Sequence, residues 1–321
     1  MKIVLASPRG FCAGVERAID IVDIALQIYG PPVYVRKEIV HNRHVVQDFS
    51  DRGVVFVESL DEVPTSSVVV FSAHGVSPAV WEEAKARNAK IIDATCPLVT
   101  KVHLEVHRFV REGYDIVLIG HEGHDEVIGT MGEAPERVVL VGSVAEVAEL
   151  NPPRPDKLVY LTQTTLSVDE TREIVLALKK RFPNISAPPK DDICYATQNR
   201  QDAVKSMADI ADVILVLGSA NSSNSVRLSE VAEKHGARGY RIDNASEIQA
   251  EWVHDAQCVG ITAGASTPEV LVERTIARLK DLGAESIEIL DGVAETMKFA
   301  LPHNLVEEVR ARPEMISLLK R

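Results

Sequence analysis

The sequence predicts an α/β protein made of three α/β units related by a pseudo-threefold axis, each with a small, mainly parallel sheet. Two observations predict it. Short apolar runs alternate with longer amphipathic stretches along the chain, the pattern of parallel strands buried on both faces and joined by crossover helices. The chain also matches itself when aligned on three of its four cysteines, as a repeated architecture should.

In that alignment Cys12 opens Cys-Ala-Gly-Val-Glu-Arg-Ala, Cys96 opens Cys-Pro-Leu-Val-Thr-Lys-Val, and Cys194 opens Cys-Tyr-Ala-Thr-Gln-Asn-Arg. Each leads an amphipathic helical stretch. A buried-strand pattern follows each helix, at Val33 to Val35, Ile116 to Ile119 and Val213 to Leu217. The polar loops after these strands hold His41, His124 and Ser222, lying 29, 28 and 28 residues beyond their cysteines. The next strands, Val54 to Val57, Val138 to Val141 and Tyr240 to Ile242, run into related helix starts at Ser59, Ser143 and Ala245. A third set, Val68 to Phe71, Leu158 to Leu161 and Cys258 to Ile261, ends in loops carrying His74, Thr164 and Ser266.

The last strands, Lys90 to Asp93 and Asp191 to Ile193, reach the following cysteine, and Ile3 to Ala6 stands in the same relation to Cys12. The units are therefore expected at residues 13–96, 97–193 and 194–281. The N-terminal strand, within residues 1–12, would complete the third sheet, a place for which Ser286 to Leu290 competes. Residues 282–321 form a C-terminal extension, whose charged part, Glu307 to Glu314, is expected to be solvated. The prolines at 152, 153 and 155 and at 188 and 189 read as turns, the stretches being too short for linkers. In parallel sheets ligands bind beyond the carboxyl ends of the strands, which is where these polar loops fall.

Bulk composition narrows the function. With 47 acidic and 35 basic side chains the formal charge is -12, which disfavours sequence-independent binding to nucleic acid or to an anionic membrane. No apolar run approaches the roughly 20 residues of a membrane-spanning helix. The N-terminus runs directly into an apolar strand with no export or organelle presequence, so a cytoplasmic location is expected. No heptad seam marks an oligomer interface, and monomer or homodimer are both open. In a reducing compartment four widely spaced cysteines serve metal binding, catalysis or packing rather than disulfides.

Three thiols at equivalent repeat positions would meet at one point and form a metal centre one protein ligand short. Cysteine thiolates are the usual ligands of iron-sulfur clusters, four to a cluster, and a vacant ligand position marks a reactive metal. The three units are thus expected around a central iron-sulfur cluster. A single intracellular cysteine is more often an inert packed one; equivalent placement in three units argues otherwise for Cys12, Cys96 and Cys194. Cys258, inside an apolar strand, is assigned to packing.

Around the centre the loops would present His41, His74, His124, Thr164, Ser222, Ser223, Asn224 and Ser266. Such neutral donors, with helix N-termini, can enclose a phosphate or diphosphate without a Walker-type lysine. Taken singly, each is more commonly a loop group satisfied by backbone or water; the collective placement favours a site. His121 and His124 lack the helical spacing of a His-Glu-x-x-His zinc site. Glu126 fits proton delivery, because a carboxyl in a dry pocket has a raised pKa.

The motifs Arg9-Gly10-Phe11-Cys12-Ala13-Gly14-Val15, Asp93-Ala94-Thr95-Cys96-Pro97-Leu98-Val99 and Asp192-Ile193-Cys194-Tyr195-Ala196-Thr197 carry a resemblance, with Ile39-Val40-His41-Asn42, Gly129-Thr130-Met131-Gly132, Gln163-Thr164-Thr165-Leu166-Ser167 and Asn221-Ser222-Ser223-Asn224-Ser225. Together they closely resemble the 4-hydroxy-3-methylbut-2-enyl diphosphate reductase (LytB) family, over about Met1 to Asp291. The resemblance implies one 4Fe–4S cluster per chain, held by Cys12, Cys96 and Cys194, whose fourth iron accepts the allylic hydroxyl. It further implies reduction to isopentenyl and dimethylallyl diphosphate, the last step of the methylerythritol phosphate route to isoprenoids. Glu126 would be the proton source with Thr164 and His124 in its relay. The diphosphate would rest on His41, His74, His124, Thr164, Ser222, Ser223, Asn224 and Ser266. Ferredoxin or flavodoxin would donate electrons, which in so acidic a chain requires a local basic patch. The sequence departs from the family at Asp125 and Ile128, where members carry Pro and Glu, which leaves the stiffness of that loop open. Two rivals stay open at this point: a metal sensor without turnover, and a metal-free phosphosugar-binding protein.

Overall fold

The apolar runs pair as parallel strands in three sheets, in a computed structural model that describes residues 1–320. Arg321, the last residue of the expected extension, lies outside them. β1 (Lys2–Leu5) and α1 (Ala13–Tyr29) lead into the first sheet, made of β2 (Val33–Arg36), β3 (Val54–Val57), β4 (Val68–Phe71) and β5 (Lys90–Asp93), with α2 (Arg43–Asp51) and α3 (Pro78–Ala86) as crossovers. α4 (Pro97–Arg111) leads to β6 (Asp115–Ile119), β7 (Val138–Val141) and β8 (Leu158–Thr162), with α5 (Asp125–Gly132), α6 (Val144–Glu149) and α7 (Val168–Arg181) following them in turn. α8 (Tyr195–Ala208) opens the third set: β9 (Val213–Leu217), α9 (Ser223–Lys234), β10 (Arg238–Ile242), α10 (Ala250–Val253), β11 (Cys258–Ala263), α11 (Glu269–Asp281) and β12 (Ser286–Ile289). α12 (His303–Arg310) lies in the tail.

The strand orders are β3-β2-β4-β5, β7-β6-β8 and β10-β9-β11-β1-β12. The first strand after each cysteine is therefore flanked on both sides in every sheet. β1 pairs with β11 as β5 pairs with β4, Lys2 facing Cys258, and β12 adds outside it with Ser286 facing Lys2. So the N-terminal strand takes the inner place, and the exposed β12 the edge.

The strand expected at Asp191 to Ile193 does not form. Pro188 and Pro189 just before it have no N–H to give a ladder, and the backbone makes only an isolated bridge between Ser186 and Val159. The Asp192 carboxylate instead accepts the Thr162 N–H at 3.0 Å, so a side chain does the pairing that a strand would have done.

Each sheet is buried on both faces, which is why its strands read as unbroken apolar runs. Val33, Val35, Val54 and Val70 pack against α1 on one side of the first sheet, and Val57, Val69 and Phe71 face Trp81 and Ala84 on the other. Ile116, Val117, Leu118 and Ile119 of β6 are at most 1% exposed. Truncating one of them to Ala would cost about 2–5 kcal/mol through the cavity left behind. The tail is less solvated than its charges suggested. Leu305 and Val309 of α12 are almost fully buried in the core that contains α1, because they fall four apart on one helical face, while Glu307 is exposed and Glu308 pairs with Lys90 of β5. No helix among the described residues is long and apolar enough to cross a membrane.

Candidate active site

Helix N-termini converge where the strands end. Cys12, Cys96 and Cys194 are the N-cap residues of α1, α4 and α8. Each is tied by its backbone N–H to the loop after the third strand set: Cys12 to the Ala265 carbonyl at 3.2 Å, Cys96 to Ala73 at 2.9 Å and Cys194 to Thr164 at 3.0 Å. The same bond recurs in all three units, so the repeat seen in the sequence is a repeat of backbone geometry. A Cβ on Gly14 would fall 2.8 Å from Cys96 Sγ and 3.8 Å from Cys12 Sγ, so only glycine permits the approach of two of the thiols.

All three thiols line one cavity and keep some exposure through it. Burial pushes the Cys96 thiol up to about 12 and the Cys194 thiol up to about 11, and the other thiols reinforce the shift. Bare thiols here hold their protons at neutral pH; a cationic metal core would remove them. The helix N-termini point their positive ends at the charge that would result. Thr197 supports Cys194 through its N–H at 3.4 Å and its hydroxyl at 3.1 Å from Sγ. The donor set therefore fits a three-thiolate metal centre. Cys258 lies elsewhere, partly packed against the core beneath β9 and β11.

Above the thiols stands a group of imidazoles. His41 and His74 stack at 3.9 Å between centroids, and His124 meets their edges at 5.3 and 5.9 Å. Burial holds the His74 imidazole well below its ordinary value and lowers that of His124 to about 3. His124 Nδ1 accepts the Glu126 N–H at 3.2 Å as the N-cap of α5, which leaves the neutral ring's proton on Nε2. His41 Nδ1 meets Glu38 at 3.1 Å, and Asn221 bonds the same Glu38 carboxylate at 2.7 Å.

The hydroxyls are more committed. Ser222 caps α9, and its Oγ accepts from Ser225; the Ser223 hydroxyl donates to the Thr165 carbonyl at 3.2 Å; that of Ser266 donates to the His41 carbonyl at 2.9 Å. Asn224 differs. It is 4% exposed, and neither its Oδ1 nor its Nδ2 has a partner, although it lines the cavity. A buried amide left unpaired is rare in a folded protein and here faces a space for a ligand.

Glu126 is 3% exposed at the start of α5. Thr164 donates to both its oxygens, from N–H at 2.7 Å and from the hydroxyl at 2.9 Å. Burial raises the carboxyl to about 7 against those two bonds, which lower it. The loop around Glu126 is held by charge: Asp125 lies 3.8 Å from Lys37 and 3.9 Å from His41. Ile128 is half exposed and does not itself line the cavity, although its N–H donates to the His124 carbonyl at 3.0 Å.

All twelve residues singled out from the sequence line this cavity. Arg200 was not foreseen. It is fully buried, donates to the Gly10 carbonyl at 2.7 Å and to Ala196 at 2.9 Å, and pairs with Glu295 from the tail at 2.9 Å. It thus fixes the loop carrying Cys12. The self-alignment displayed Arg200 six residues after Cys194, but its partner Glu295 lies 95 residues away.

Fold and site together define an α/β protein of the enzyme class, with three thiols suited to a metal, a group of imidazoles and a buried carboxyl in one cavity. Comparison with known proteins makes this more particular. The model of the LytB protein family matches residues 3–280. A 4-hydroxy-3-methylbut-2-enyl diphosphate reductase of Azoarcus sp. (strain BH72) is 59% identical over 306 residues, covering 95% of this chain and 98% of that protein. One from Acinetobacter baumannii (strain ATCC 17978) is 55% identical over 309 residues, covering 95% of this chain and 98% of its own. The solved structure of the E-1-hydroxy-2-methyl-but-2-enyl-4-diphosphate reductase from Plasmodium falciparum superposes with a TM-score of 0.94 at 38% identity, over 97% of this chain and 98% of that one. The chain belongs to the LytB family. The architecture of three parallel sheets expected from the sequence is the one its relatives share.

Proposed function

We propose that this chain reduces 4-hydroxy-3-methylbut-2-enyl diphosphate to isopentenyl and dimethylallyl diphosphate, the last step of the methylerythritol phosphate route, with one 4Fe–4S cluster held by Cys12, Cys96 and Cys194. The observation that carries the reading is the placement of three convergent thiols and one proton-bearing carboxyl, Glu126, in the same cavity. When bound, the cluster supplies electrons and an open Lewis-acidic position for the allylic hydroxyl.

The chain's own residues do the rest. His41, His74, His124, Thr164, Ser222, Ser223, Asn224 and Ser266 form the diphosphate end, where the N-termini of α5 and α9 add positive potential. An arriving diphosphate opposes the effect of burial on His74 and His124, since a nearby anion favours imidazolium. Glu126, raised to about 7 by burial, keeps a large protonated fraction at neutral pH, and Thr164 fixes the direction in which the proton is offered. His124, bonded to the Glu126 N–H, keeps the start of α5 in register with the pocket. Apolar neighbours such as Val15, Val40 and Phe299 line the same cavity and exclude water from it. Electrons come from a small one-electron carrier of the ferredoxin or flavodoxin kind.

Anaerobic reconstitution with iron and sulfide, followed by assay on the allylic diphosphate, tests this directly. Brown protein with about four irons per chain that consumes the diphosphate is the expected result; iron-free protein, or loaded protein without turnover, overturns it.

A further inference from the structure

Outside the cavity lining, between α4 and the end of α5, lies a second line of titratable side chains. α4 carries His103 and His107 four residues apart on one face. Glu133, directly after α5, bridges them: its Oε1 lies 2.8 Å from His103 Nδ1 and its Oε2 lies 2.7 Å from His107 Nε2. The outer end is open and the rest buried: the His107 side chain is 49% exposed, that of Glu133 7% and that of His103 11%. His103 continues inward. Its ring rests against the loop carrying His74, so closely that a Cβ on Gly75 would lie 3.0 Å from His103 Cε1. Its far nitrogen, Nε2, is buried without a partner.

The chemistry calls for such a line. Reductive loss of the allylic hydroxyl breaks a C–O bond, forms a C–H bond and releases water. It takes two electrons from the one-electron carrier and two protons. Glu126 holds one proton at a time, so it must be recharged in every turnover. Glu126 lines the cavity with both its oxygens bonded to Thr164, and substrate in that cavity would stand between it and solvent on that side.

We propose that His107, Glu133 and His103 form a proton-supply path from solvent to Glu126, completed by water between His103 Nε2 and the Glu126 carboxyl. The inference rests on the function proposed above. α5 gives the path its shape, with Glu126 in its first turn and Glu133 just beyond its last. The electrostatics agree, because a charged His103 favours the ionised form of Glu126. Asp192, the other charged group felt by Glu126, is buried and tied to Lys101 and the Thr162 N–H. None of the three residues touches the substrate cavity, so they supply protons without binding substrate.

The test uses cluster-loaded enzyme with a chemically reduced dye as electron source, so that carrier docking does not limit the rate. Glu133→Gln keeps the size but has one acceptor oxygen and cannot pass a proton between the two histidines. It should lower kcat about tenfold or more with KM little changed, and should enlarge the solvent deuterium isotope effect. His107→Ala opens the outer end; its kcat should fall and recover when imidazole is added. Wild-type rates and isotope effects in both variants, with Glu126→Gln still slow, would overturn the path while leaving the proposed function standing. A loss in Glu133→Gln without a change in isotope effect, together with no rescue of His107→Ala, would assign the trio to packing and equally overturn it. Wild-type enzyme that does not reduce the diphosphate would remove the function and this inference with it.

Discussion

Thr164 engages both oxygens of Glu126 at once, with its N–H at 2.7 Å and its hydroxyl at 2.9 Å. The bonds aim a buried carboxyl while working against the burial that keeps it protonated. Glu126→Gln retains the shape but offers the Thr164 N–H one acceptor fewer and has no proton to give. Iron content should stay at the wild-type level, and turnover of the allylic diphosphate should fall about 10²–10⁴-fold. Undiminished turnover would exclude the proton-donor role.

The pH profile of kcat should follow the same group. The carboxyl is raised to about 7, so its proton-bearing form dominates below that pH and is lost above it. The rate should therefore fall as pH rises through about 7. The Thr164 hydroxyl lowers the carboxyl, so Thr164→Val should carry the limb to higher pH even as the rate drops. A limb that stays in place would belong to another group.

Iron binding should separate the cysteines. Cys12→Ser, Cys96→Ser and Cys194→Ser should each lose the visible chromophore on anaerobic reconstitution, because their thiols share one cavity. Cys258→Ser should keep it, since Cys258 starts β11 away from that cavity. Equal loss at all four would overturn the ligand set.

Asn224 is expected to trade stability for binding. Its unpaired buried amide costs the empty protein about 1–3 kcal/mol, so Asn224→Ala should melt no lower than wild type. With substrate the amide finds its partners, and KM should rise about tenfold for each 1.4 kcal/mol of lost contact. A lower melting temperature with unchanged KM would make Asn224 structural.

Glu295→Ala would leave Arg200 buried without its carboxylate. Removing one partner of a buried pair costs about 3 kcal/mol, and the loss falls on the loop holding Cys12, whose Gly10 carbonyl Arg200 supports. Both a lower melting temperature and faster bleaching of the chromophore in air are expected. A change in melting alone would uncouple the tail from the metal centre.

Much of this was legible in the sequence because it is local or repeated. Cysteines at helix starts, apolar runs between polar loops and the spacings from Cys12 to His41, Cys96 to His124 and Cys194 to Ser222 follow from periodicity. They placed every cavity residue that had been singled out. Where local pattern failed, a side chain had replaced backbone, as Asp192 does for the strand not formed at Asp191 to Ile193. Likewise the acidic residues of α12 masked its apolar face, Leu305 and Val309.

By itself, then, the sequence determined the three parallel sheets, the cysteine-bearing helix starts and the polar loops, since strand and helix periods are properties of neighbouring residues. Only the tertiary structure decided which distant groups meet. Arg200 with Glu295, Thr164 with Glu126 and His103 with Glu133 are pairs between separate elements. Contacts across such separations are set by how sheets and helices pack, and burial, which sets the carboxyl near 7 and leaves Asn224 unpaired, exists only once they have packed.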